Sequence, residues 1–393
     1  MEPVKVVDGI YWVGGIDWNI RDFHGYATYN GTTYNAFLIM DEKIVLVDTV
    51  KKEKTDEMFA RISQIVDPKK IDLVISNHTE MDHSGALPRV MHRIGEEKPI
   101  YCSKLGKKNL AGHFRENFNY QAVENGGELN IGRRTLRFLE TRMMHWPDSM
   151  FTYLKEDKVL FSSDAFGQHY AGLERFDDEC GEEIMAHARK YYANILTPFS
   201  PLILKLLEKV GEMNLAIDYI LPDHGIMWRR DPGRIIRAYA VWAAQKPTRK
   251  ALVVYDTMWH STEIMAETII ETLGREKVEA KLMHLRSCHR SEIIAELQEA
   301  GAILVGSPTL NNGLFPTVAD FLCYMKGLRP QNKIAAAFGS YGWSGEAVKL
   351  ITKELEEAKM TIISPGVKSL FVPDDLEACR DLARKTAALL PRE

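Results

Sequence analysis

The chain has 393 residues, of which 45% are hydrophobic and 26% charged, with a formal net charge of −4 and a pI near 6.3. This length favours two domains over a single core, and the composition is that of an ordinary globular protein. The charge provides no basic footprint for nucleic acid, and no apolar run of about 18 residues predicts a membrane span.

The N-terminus and the cysteines both indicate a reducing cytoplasm. The first residues lack the charged-then-apolar pattern of a signal peptide. The five cysteines are scattered, and no two of them form a Cys-x-x-Cys pair. A disulfide framework, a zinc ribbon and an attached rubredoxin-type iron site are therefore not expected.

Roughly the first 245 residues mix short strands and helices without a regular alternation. Residues 9–15 and 35–40 predict strands, and a turn at 41–43 leads from the second of these into another strand at 44–48. A helical pattern at 55–66 precedes a buried strand at 71–76. Ser84 is expected to cap a helix over residues 86–94, with Pro88 in its first turn.

The six residues after the strand at 71–76 contain four metal-binding side chains: His78, Glu80, Asp82 and His83. Imidazoles mixed with carboxylates suit a first-row metal such as iron better than a structural zinc, which favours thiolates. Three more candidates lie near predicted strand ends: His145, Asp164 and His224. A lone histidine after a strand is more often a packed residue, but seven such side chains indicate two metal ions with one bridging carboxylate.

The segment around Pro247 marks a domain boundary, because proline ends the preceding helix. Beyond it, apolar strands at 251–255, 302–306 and 333–338 alternate with loops and helices. This rhythm predicts a parallel sheet covered on both faces. We therefore expect two domains, residues 1–248 and 249–393.

Three polar loops follow those strands at their carboxyl ends, where a doubly wound sheet binds its ligand. The first loop leads into a helix at 263–273, whose free N–H groups suit a terminal phosphate. A dinucleotide fingerprint and a Walker lysine are both absent from the sequence, so FMN fits better than a dinucleotide or a triphosphate. Trp259 or Trp343 is expected to flank the isoalloxazine. The predicted cofactor-binding residues are Thr257, Met258, Trp259, His260, Ser261, Thr262, Ser307, Pro308, Thr309, Leu310, Asn311, Asn312, Ser340, Tyr341, Gly342, Trp343, Ser344 and Gly345.

The order His-x-Glu-x-Asp-His, followed by His, Asp and His, resembles the metallo-β-lactamase superfamily, whose early structural aspartate matches Asp48. Hydrolases of that superfamily usually carry His-x-His-x-Asp-His. Glu80 replaces the second histidine, and this replacement is the mark of the flavodiiron proteins. The resemblance covers essentially the whole chain, since the three loops resemble flavodoxin. It implies an α/β protein, with an N-terminal metallo-β-lactamase-like αββα sandwich followed by a C-terminal flavodoxin-like doubly wound parallel sheet.

The same resemblance implies a non-haem diiron site. The ligands of one iron would be His78, Glu80 and His145. The ligands of the other would be Asp82, His83 and His224, with Asp164 bridging the pair. The family does not always use the histidine at the place of His83. Three further residues are expected, by analogy with the family, to donate hydrogen bonds around the ligands: His24, His169 and Tyr192.

The function implied is that of a flavodiiron oxygen and/or nitric oxide reductase. Dioxygen would be reduced to water, or nitric oxide to nitrous oxide, with electrons delivered through FMN. The resemblance also implies a head-to-tail homodimer, or a tetramer, in which each flavin serves the partner's irons. No rubredoxin or flavin-reductase segment follows the last predicted helix. An external donor is therefore expected, with rubredoxin first and reduced coenzyme F420 second.

Two other functions share parts of this pattern. A zinc-dependent hydrolase of the metallo-β-lactamase type could carry a flavodoxin-like domain, and Glu80 argues against it. A pure electron-transfer or flavin-storage protein could keep the first domain as scaffold, and the complete ligand set argues against that. The residues do not favour dioxygen over nitric oxide.

Overall fold

The computed structural model describes residues 2–392, which divide into two compact units. Among them, unit 1 comprises residues 2–24, 28–191 and 201–240, and unit 2 comprises residues 25–27, 192–200 and 241–392. Two short segments that precede residue 241, residues 25–27 and 192–200, thus belong to the second unit. The expected domain boundary between residues 248 and 249 stays a prediction.

The strands up to residue 222 are mostly short. In chain order they are β1 (Val4–Val7), β2 (Ile10–Trp12), β3 (Gly15–Asp17), β4 (Asp22–Phe23), β5 (Tyr26–Ala27), β6 (Thr32–Tyr34), β7 (Phe37–Ile39), β8 (Val45–Val47), β9 (Leu73–Ser76), β10 (Pro99–Cys102), β11 (Asn119–Ala122), β12 (Glu128–Asn130), β13 (Thr135–Glu140), β14 (Met150–Leu154), β15 (Val159–Ser163) and β16 (Tyr219–Pro222). The predicted strands at 9–15, 35–40, 44–48 and 71–76 correspond to β2, β7, β8 and β9.

Helices fill the intervals between these strands. The α-helices are α1 (Thr55–Ile62), α2 (Met81–Ser84), α3 (Leu87–Ile94), α4 (Lys104–Phe114), α5 (Glu183–Tyr191), α6 (Ser200–Glu212) and α7 (Pro232–Ala244). Short 3-10 helices cover Lys52–Lys54, Pro68–Lys70 and Thr197–Phe199, and a π-helix covers Tyr192–Leu196.

Unit 1 contains two main sheets. The first has seven strands in the order β1-β2-β7-β8-β9-β10-β11, antiparallel from β1 to β8 and parallel from β8 to β11. The expected hairpin is confirmed, since Phe37 pairs with Val47 across β7 and β8. The second sheet has five strands in the order β12-β13-β14-β15-β16, and only its last pair is parallel.

The core of unit 1 lies between these sheets and on their outer faces. Strand side chains alternate between faces: Val45 and Val47 join the cluster between the sheets, whereas Leu46 packs in the cluster with α1 and α3. On the outer face of the second sheet, Leu160 shares a cavity with leucines of α6. Two sheets between two helical layers are the arrangement that the family resemblance implies.

Unit 2 is built on one parallel sheet. Its strands are β17 (Thr248–Tyr255), β18 (Glu279–His284), β19 (Ala300–Gly306), β20 (Ile334–Tyr341), β21 (Thr361–Ile362) and β22 (Val367–Leu370). The order is β18-β17-β19-β20-β21, with β22 also paired to β20, and every pair is parallel. The helices are α8 (Ser261–Arg275), α9 (Arg290–Leu297), α10 (Pro316–Leu328), α11 (Glu346–Glu357) and α12 (Glu377–Leu389).

Helices cover both faces of this sheet, as the continuous apolar strands predict. Val254 and Val305 pack in the cluster that contains residues of α9, α10 and α11. Val253 and Leu304 pack in the cluster that contains residues of α8 and α12. None of the helices within residues 2–392 has the length and apolar character that crossing a membrane requires.

One local prediction is wrong. Ser84 does not cap the helix that follows it, because Ser84 itself ends the four-residue helix α2. Its hydroxyl donates to the carbonyl oxygens of Thr79 and Glu80, at 2.9 and 3.0 Å. The next helix, α3, begins at Leu87 after Ala86, with no side-chain cap and with proline in its first turn as expected.

Candidate metal centre and cofactor cleft

The seven predicted ligands come together at strand ends in unit 1. His78 and Glu80 follow β9, and the short helix α2 carries the next two candidates. Asp164 follows β15 and His224 follows β16 closely. Because β15 and β16 are parallel, with Ser163 opposite Pro222, their carboxyl ends bring these two residues to the same edge of the sheet.

The ligand atoms form two groups, and within each group they lie within 4.8 Å of one another. The first group is His78, Glu80, His145 and Asp164. The second group is Asp82, His83 and His224. This division matches the two iron sites that the resemblance implies.

Asp164 lies between the two groups and faces both. Its Oδ2 is 3.3 Å from His78 Nε2 and 3.4 Å from His145 Nε2. Its Oδ1 is 3.2 Å from His83 Nε2 and 3.6 Å from His224 Nε2. Each oxygen therefore faces a different pair of imidazoles, which is the geometry of a carboxylate that bridges two cations.

Several buried ligand atoms have no hydrogen-bond partner among the described residues. They include Asp82 Oδ1, together with His83 Nε2 and Asp164 Oδ2, whose imidazole–carboxylate contacts lack hydrogen-bond geometry. Buried polar atoms in proteins are almost always paired, so a convergent set of unpaired ones indicates cation binding. Four imidazoles and three carboxylates fit intermediate first-row metals such as iron, and two such ions would share them.

Buried groups hold two of the imidazole rings in place. Asp148 Oδ2 accepts a hydrogen bond from Thr79 N at 2.9 Å and lies 3.4 Å from His78 Nδ1. On the other side, His224 Nδ1 donates to the carbonyl oxygen of Thr33 at 2.7 Å. Such partners fix the ring orientation, so that Nε2 of each ring faces Asp164 and the other ligand atoms. The sequence argument did not single out Asp148, although it stands three residues after a predicted ligand.

Asp48 acts on the backbone beside the first ligand. Its carboxylate accepts hydrogen bonds from Asn77 N at 2.7 Å and from Asn77 Nδ2 at 2.6 Å. Burial raises the pKa of Asp48 to about 6, against the hydrogen bonds from Asn77 that lower it. The contacts fix the residue immediately before His78, which agrees with the structural role expected for this aspartate.

The carboxylates and imidazoles shift one another's pKa values strongly. Burial alone would lower the pKa of His78, but hydrogen bonds to Asp148 and Glu80 raise it to about 10. Burial likewise opposes the shift in His145, where Asp164 and Glu80 raise the pKa to about 9. In Glu80 burial would raise the pKa, and hydrogen bonds from the two histidines lower it to about 2. In the metal-free protein, imidazolium charge therefore balances the carboxylates.

Two of the three expected outer hydrogen-bond donors lie at this centre. His24 Nε2 is 3.5 Å from Glu80 Oε1, and its side chain is 75% exposed. His169 is buried, with Nδ1 2.8 Å from Thr32 Oγ1 and its ring centroid 4.8 Å from that of His224. His24 thus lies at the solvent side of the ligands and His169 at the protein side.

The third expected donor, Tyr192, has a different neighbour. Its hydroxyl lies 2.9 Å from Ser200 Oγ, and both residues belong to unit 2. The tyrosine that contacts a ligand is the preceding residue, Tyr191, whose hydroxyl donates to Asp164 Oδ1 at 3.0 Å. A role for Tyr192 at the centre stays a prediction, and Tyr191 is the residue that the sequence argument missed.

Unit 2 contains a cleft of about 480 Å³ at the carboxyl ends of its strands. All three predicted loops contribute to its lining: Met258, Trp259, Ser261, Pro308, Thr309, Leu310, Asn311, Ser340, Tyr341, Gly342 and Trp343. The other predicted residues belong to the same loops without lining the cleft: Thr257, His260, Thr262, Ser307, Asn312, Ser344 and Gly345. The first and third loops are joined, since Thr262 Oγ1 lies 2.8 Å from Ser340 Oγ. The volume is that of a typical small-molecule site.

A fourth loop, after β22, completes the cleft. Phe371 and Val372 line it, and both are exposed, as are Trp259 (84%) and Trp343 (83%). The sequence argument did not predict β22, whose residues Val367–Leu370 are only partly buried. The run of apolar residues 370–372 next to it is the signal that could have identified this loop.

Known proteins match both parts of the chain. Residues 32–225 match the ODP family beta lactamase model, and residues 253–382 match the flavodoxin model. A nitric oxide reductase of Moorella thermoacetica is 48% identical over 394 residues, covering 98% of each chain. The solved rubredoxin oxygen:oxidoreductase from Desulfovibrio gigas has a TM-score of 0.96 and 44% identity, again covering 98% of each chain. The flavodiiron protein from Giardia intestinalis has a TM-score of 0.94 and 36% identity, covering 99% of this chain and 97% of that one. These matches confirm the expected fold class in both parts.

Proposed function

The chain belongs to the flavodiiron proteins, and we propose on that premise that it is an oxygen and/or nitric oxide reductase, with electrons delivered through FMN to a pair of irons. The observation that carries the proposal is the pair of ligand groups that Asp164 faces with separate oxygens. A flavodoxin-like cleft in the same chain supports electron supply rather than hydrolysis.

The residues assigned to each cofactor follow from their positions. One iron would be held by His78, Glu80 and His145, the other by Asp82, His83 and His224, with Asp164 between them. FMN would occupy the cleft formed by the loops after β17, β19, β20 and β22. When bound, these groups supply one-electron and two-electron redox chemistry, by which dioxygen goes to water or two nitric oxide molecules go to nitrous oxide and water.

The chain's own side chains set the charge and the proton supply of this centre. Two buried carboxylates, Asp82 and Asp164, and the half-buried Glu80 would together offset most of the charge of two divalent ions. Both reductions consume protons. His24 is exposed and lies 3.5 Å from Glu80, so we assign it to proton exchange with solvent. The Tyr191 hydroxyl, which donates to Asp164 Oδ1, holds the bridging carboxylate in its orientation.

We propose rubredoxin as the external electron donor, with reduced coenzyme F420 as the second choice. Support comes from the similarity to the Desulfovibrio gigas protein, which is named a rubredoxin oxygen:oxidoreductase. A direct comparison of the two reduced donors under anaerobic conditions would decide. Faster oxidation of rubredoxin than of F420 is the expected result.

We also propose that the chain works as a head-to-tail homodimer, alone or assembled into a tetramer, in which each flavin serves the partner's irons. The exposed aromatic side chains at the cleft of unit 2, Trp259, Trp343 and Phe371, support this assembly. Large exposed apolar groups that cluster on a surface usually mark an interaction site.

The composition of the purified protein tests the cofactor assignment. Anaerobic purification followed by metal and flavin analysis should give about two irons and about one FMN per chain, the numbers that two ligand groups and one cleft accommodate. Zinc in place of iron would contradict the redox assignment and favour a hydrolase. Iron without flavin would contradict the route of the electrons only.

A further inference from the structure

A buried carboxylate stands at the start of the first cleft loop, and the metal centre does not account for it. Asp256 directly follows β17 and is fully buried. Its Oδ1 accepts a hydrogen bond from Thr257 N at 2.6 Å and lies 3.0 Å from Arg286 Nε and 3.4 Å from His284 Nε2. Its Oδ2 accepts from Thr317 Oγ1 at 2.5 Å. Residues from β18, α10 and the segment after β18 thus converge on one carboxylate within unit 2.

Arg286 contacts this loop at a second place. Its Nη2 donates to the carbonyl oxygen of Thr257 at 2.8 Å, and its guanidinium lies 5.3 Å from the Phe315 ring centroid. Although the side chain is 52% exposed, these contacts hold it on three sides. Asp256 neutralises its charge, so Arg286 is suited to fixing geometry rather than to acting as a free cation.

The two contacts fix both peptide groups that flank Thr257. The peptide before Thr257 is held through its N–H, which donates to Asp256 Oδ1. The peptide after Thr257 is held through its C=O, which accepts from Arg286. With both peptides held, the φ and ψ angles of Thr257 are set, and with them the direction of its Cα–Cβ bond.

The unpaired hydroxyl of that side chain indicates that a ligand binds here. Thr257 Oγ1 is buried and has no hydrogen-bond partner among residues 2–392. Ser261, which lines the cleft, begins α8, a helix of 15 residues. Free N–H groups in a first helical turn, next to hydroxyl groups, bind phosphate oxygens. The unpaired buried hydroxyl of Thr257 belongs to the loop that leads into this helix, and a phosphate oxygen bound at the first turn would satisfy it.

We propose that Arg286 is a positioning residue for the phosphate of the flavin. It holds Asp256 and the carbonyl of Thr257, and so keeps the Thr257 hydroxyl in the place where a phosphate monoester accepts its hydrogen bond. The inference rests on the proposed function, because it takes FMN as the ligand of the cleft. Without Arg286, the buried Asp256 carboxylate would lose its guanidinium partner, and we expect the loop to rearrange so that water reaches the carboxylate.

The test compares two flavins that differ only in the phosphate. The full-length protein is stripped of flavin and titrated with FMN and with riboflavin, by quenching of flavin fluorescence. Arg286→Ala should weaken FMN binding by about tenfold or more, the scale of one lost charge-assisted hydrogen bond. Riboflavin affinity should stay within about twofold of wild type, since riboflavin carries no phosphate for the loop to bind. Arg286→Lys should recover part of the FMN affinity through one of the two contacts.

Arg290→Ala is the matched control. Arg290 also pairs with an aspartate, Asp320, at 2.8 and 2.9 Å, and lies 5.2 Å from an aromatic ring, that of Tyr324. Asp320 and Tyr324 both lie on α10 and not in a cleft loop, so Arg290→Ala should leave both flavin affinities unchanged. Thr317→Val, which removes a smaller contact to Asp256, serves if Arg286→Ala does not fold, and it should weaken FMN binding selectively.

Several outcomes would overturn the inference. Equal losses of FMN and riboflavin affinity in Arg286→Ala would show a general structural role. Unchanged FMN affinity in Arg286→Ala, or in Thr317→Val where that variant stands in, would show that phosphate binding does not need the contacts that hold Thr257. A wild-type protein that binds neither flavin would contradict the proposed function itself. This outcome is distinct from one in which wild type binds FMN and only the role of Arg286 is contradicted.

Discussion

At the scale of single residues, the metal centre depends most on Asp164, because its two oxygens face different ligand groups. Asp164→Asn keeps the size of the side chain and removes its charge. We expect loss of iron from both groups and a fall in gas reduction of at least about a hundredfold, since a bridging ligand supports both ions. Iron content and uptake rate measure the effect.

Asp218→Asn is the control for this change, because Asp218 is an exposed aspartate that pairs with Lys158 just before β16. It should keep both irons and full activity. Full iron content with normal turnover in Asp164→Asn would show that the carboxylate does not bridge.

Metal binding should depend on pH with a definite sign. In the metal-free protein the carboxylates raise the pKa of His78 to about 10 and that of His145 to about 9. These ion pairs therefore stabilise the metal-free fold fully below the ordinary histidine pKa of about 6.5, and the contribution is lost as pH rises through about 9 to 10.

Metal ions bind the neutral imidazole, so binding must release these protons. The apparent affinity for ferrous iron should therefore rise by about tenfold or more per pH unit between about pH 6 and 8. Anaerobic titrations at several pH values give this slope. An affinity that is flat across the range would show that the imidazoles are already neutral.

At the residue scale, the sequence pointed to side chains that the structure brings together where ligands cluster, and it did not single out Tyr191, whose contact depends on helix phase. The run from His78 to His83 is dense enough to stand out. Tyr191 and Tyr192 are adjacent in the sequence, but successive helical residues point about 100° apart. Only the orientation of the helical segment shows that Tyr191 contacts Asp164, and no local pattern encodes that orientation.

At the scale of elements, the loop after β16 has little freedom. Gly225 follows His224 with φ of +77°, and an added Cβ would lie 2.4 Å from the Gln168 carbonyl oxygen. Gly225→Ala should therefore displace His224, lower the iron content of the second group, and reduce the free energy of unfolding. The expected cost is more than about 3 kcal/mol, because a backbone clash adds to the positive-φ cost of about 1–2 kcal/mol.

Gly126→Ala separates the two contributions. Gly126 has a φ of +81°, and nothing lies within 4 Å of an added Cβ. Its replacement by alanine should lower the free energy of unfolding only by the positive-φ cost, and iron content should be normal. Denaturant unfolding of both variants measures the difference. Equal costs would mean that the loop after β16 adapts without moving its ligand.

The elements that the sequence predicted well are those with strong periodicity. The parallel strands of unit 2 are continuous apolar runs, and all three expected ones are present. The helix α2 was not predicted, since its four residues carry no apolar period and serve to turn the ligands inward. β22 was missed for a related reason: its alternating burial is shallow, and polar Lys368 and Ser369 interrupt it.

At the scale of the whole molecule, the chain order predicted two parts but not their interleaving. Residues 25–27 and 192–200 belong to unit 2, although they lie within the sequence of the first part. Contacts between segments so far apart leave no local signature. Resemblance to a family therefore predicted more of the overall architecture than the periodicity of apolar residues did.

The proposed dimer makes a prediction at this scale. If each flavin serves the partner's irons, turnover should fall in parallel with dissociation, while iron and FMN stay bound to the monomer. Activity measured across a dilution series, alongside sedimentation at the same concentrations, tests this. Undiminished turnover by a monomer would show that electrons pass within one chain.

The central claim is that this chain reduces a diatomic gas at two irons with electrons from its flavin. The most direct test is anaerobic mixing of the iron- and FMN-loaded protein with reduced rubredoxin, followed by addition of dioxygen or nitric oxide. We expect rapid reoxidation of the flavin with uptake of at least one gas, and formation of water or nitrous oxide. A reduced flavin that stays reduced in the presence of both gases would contradict it.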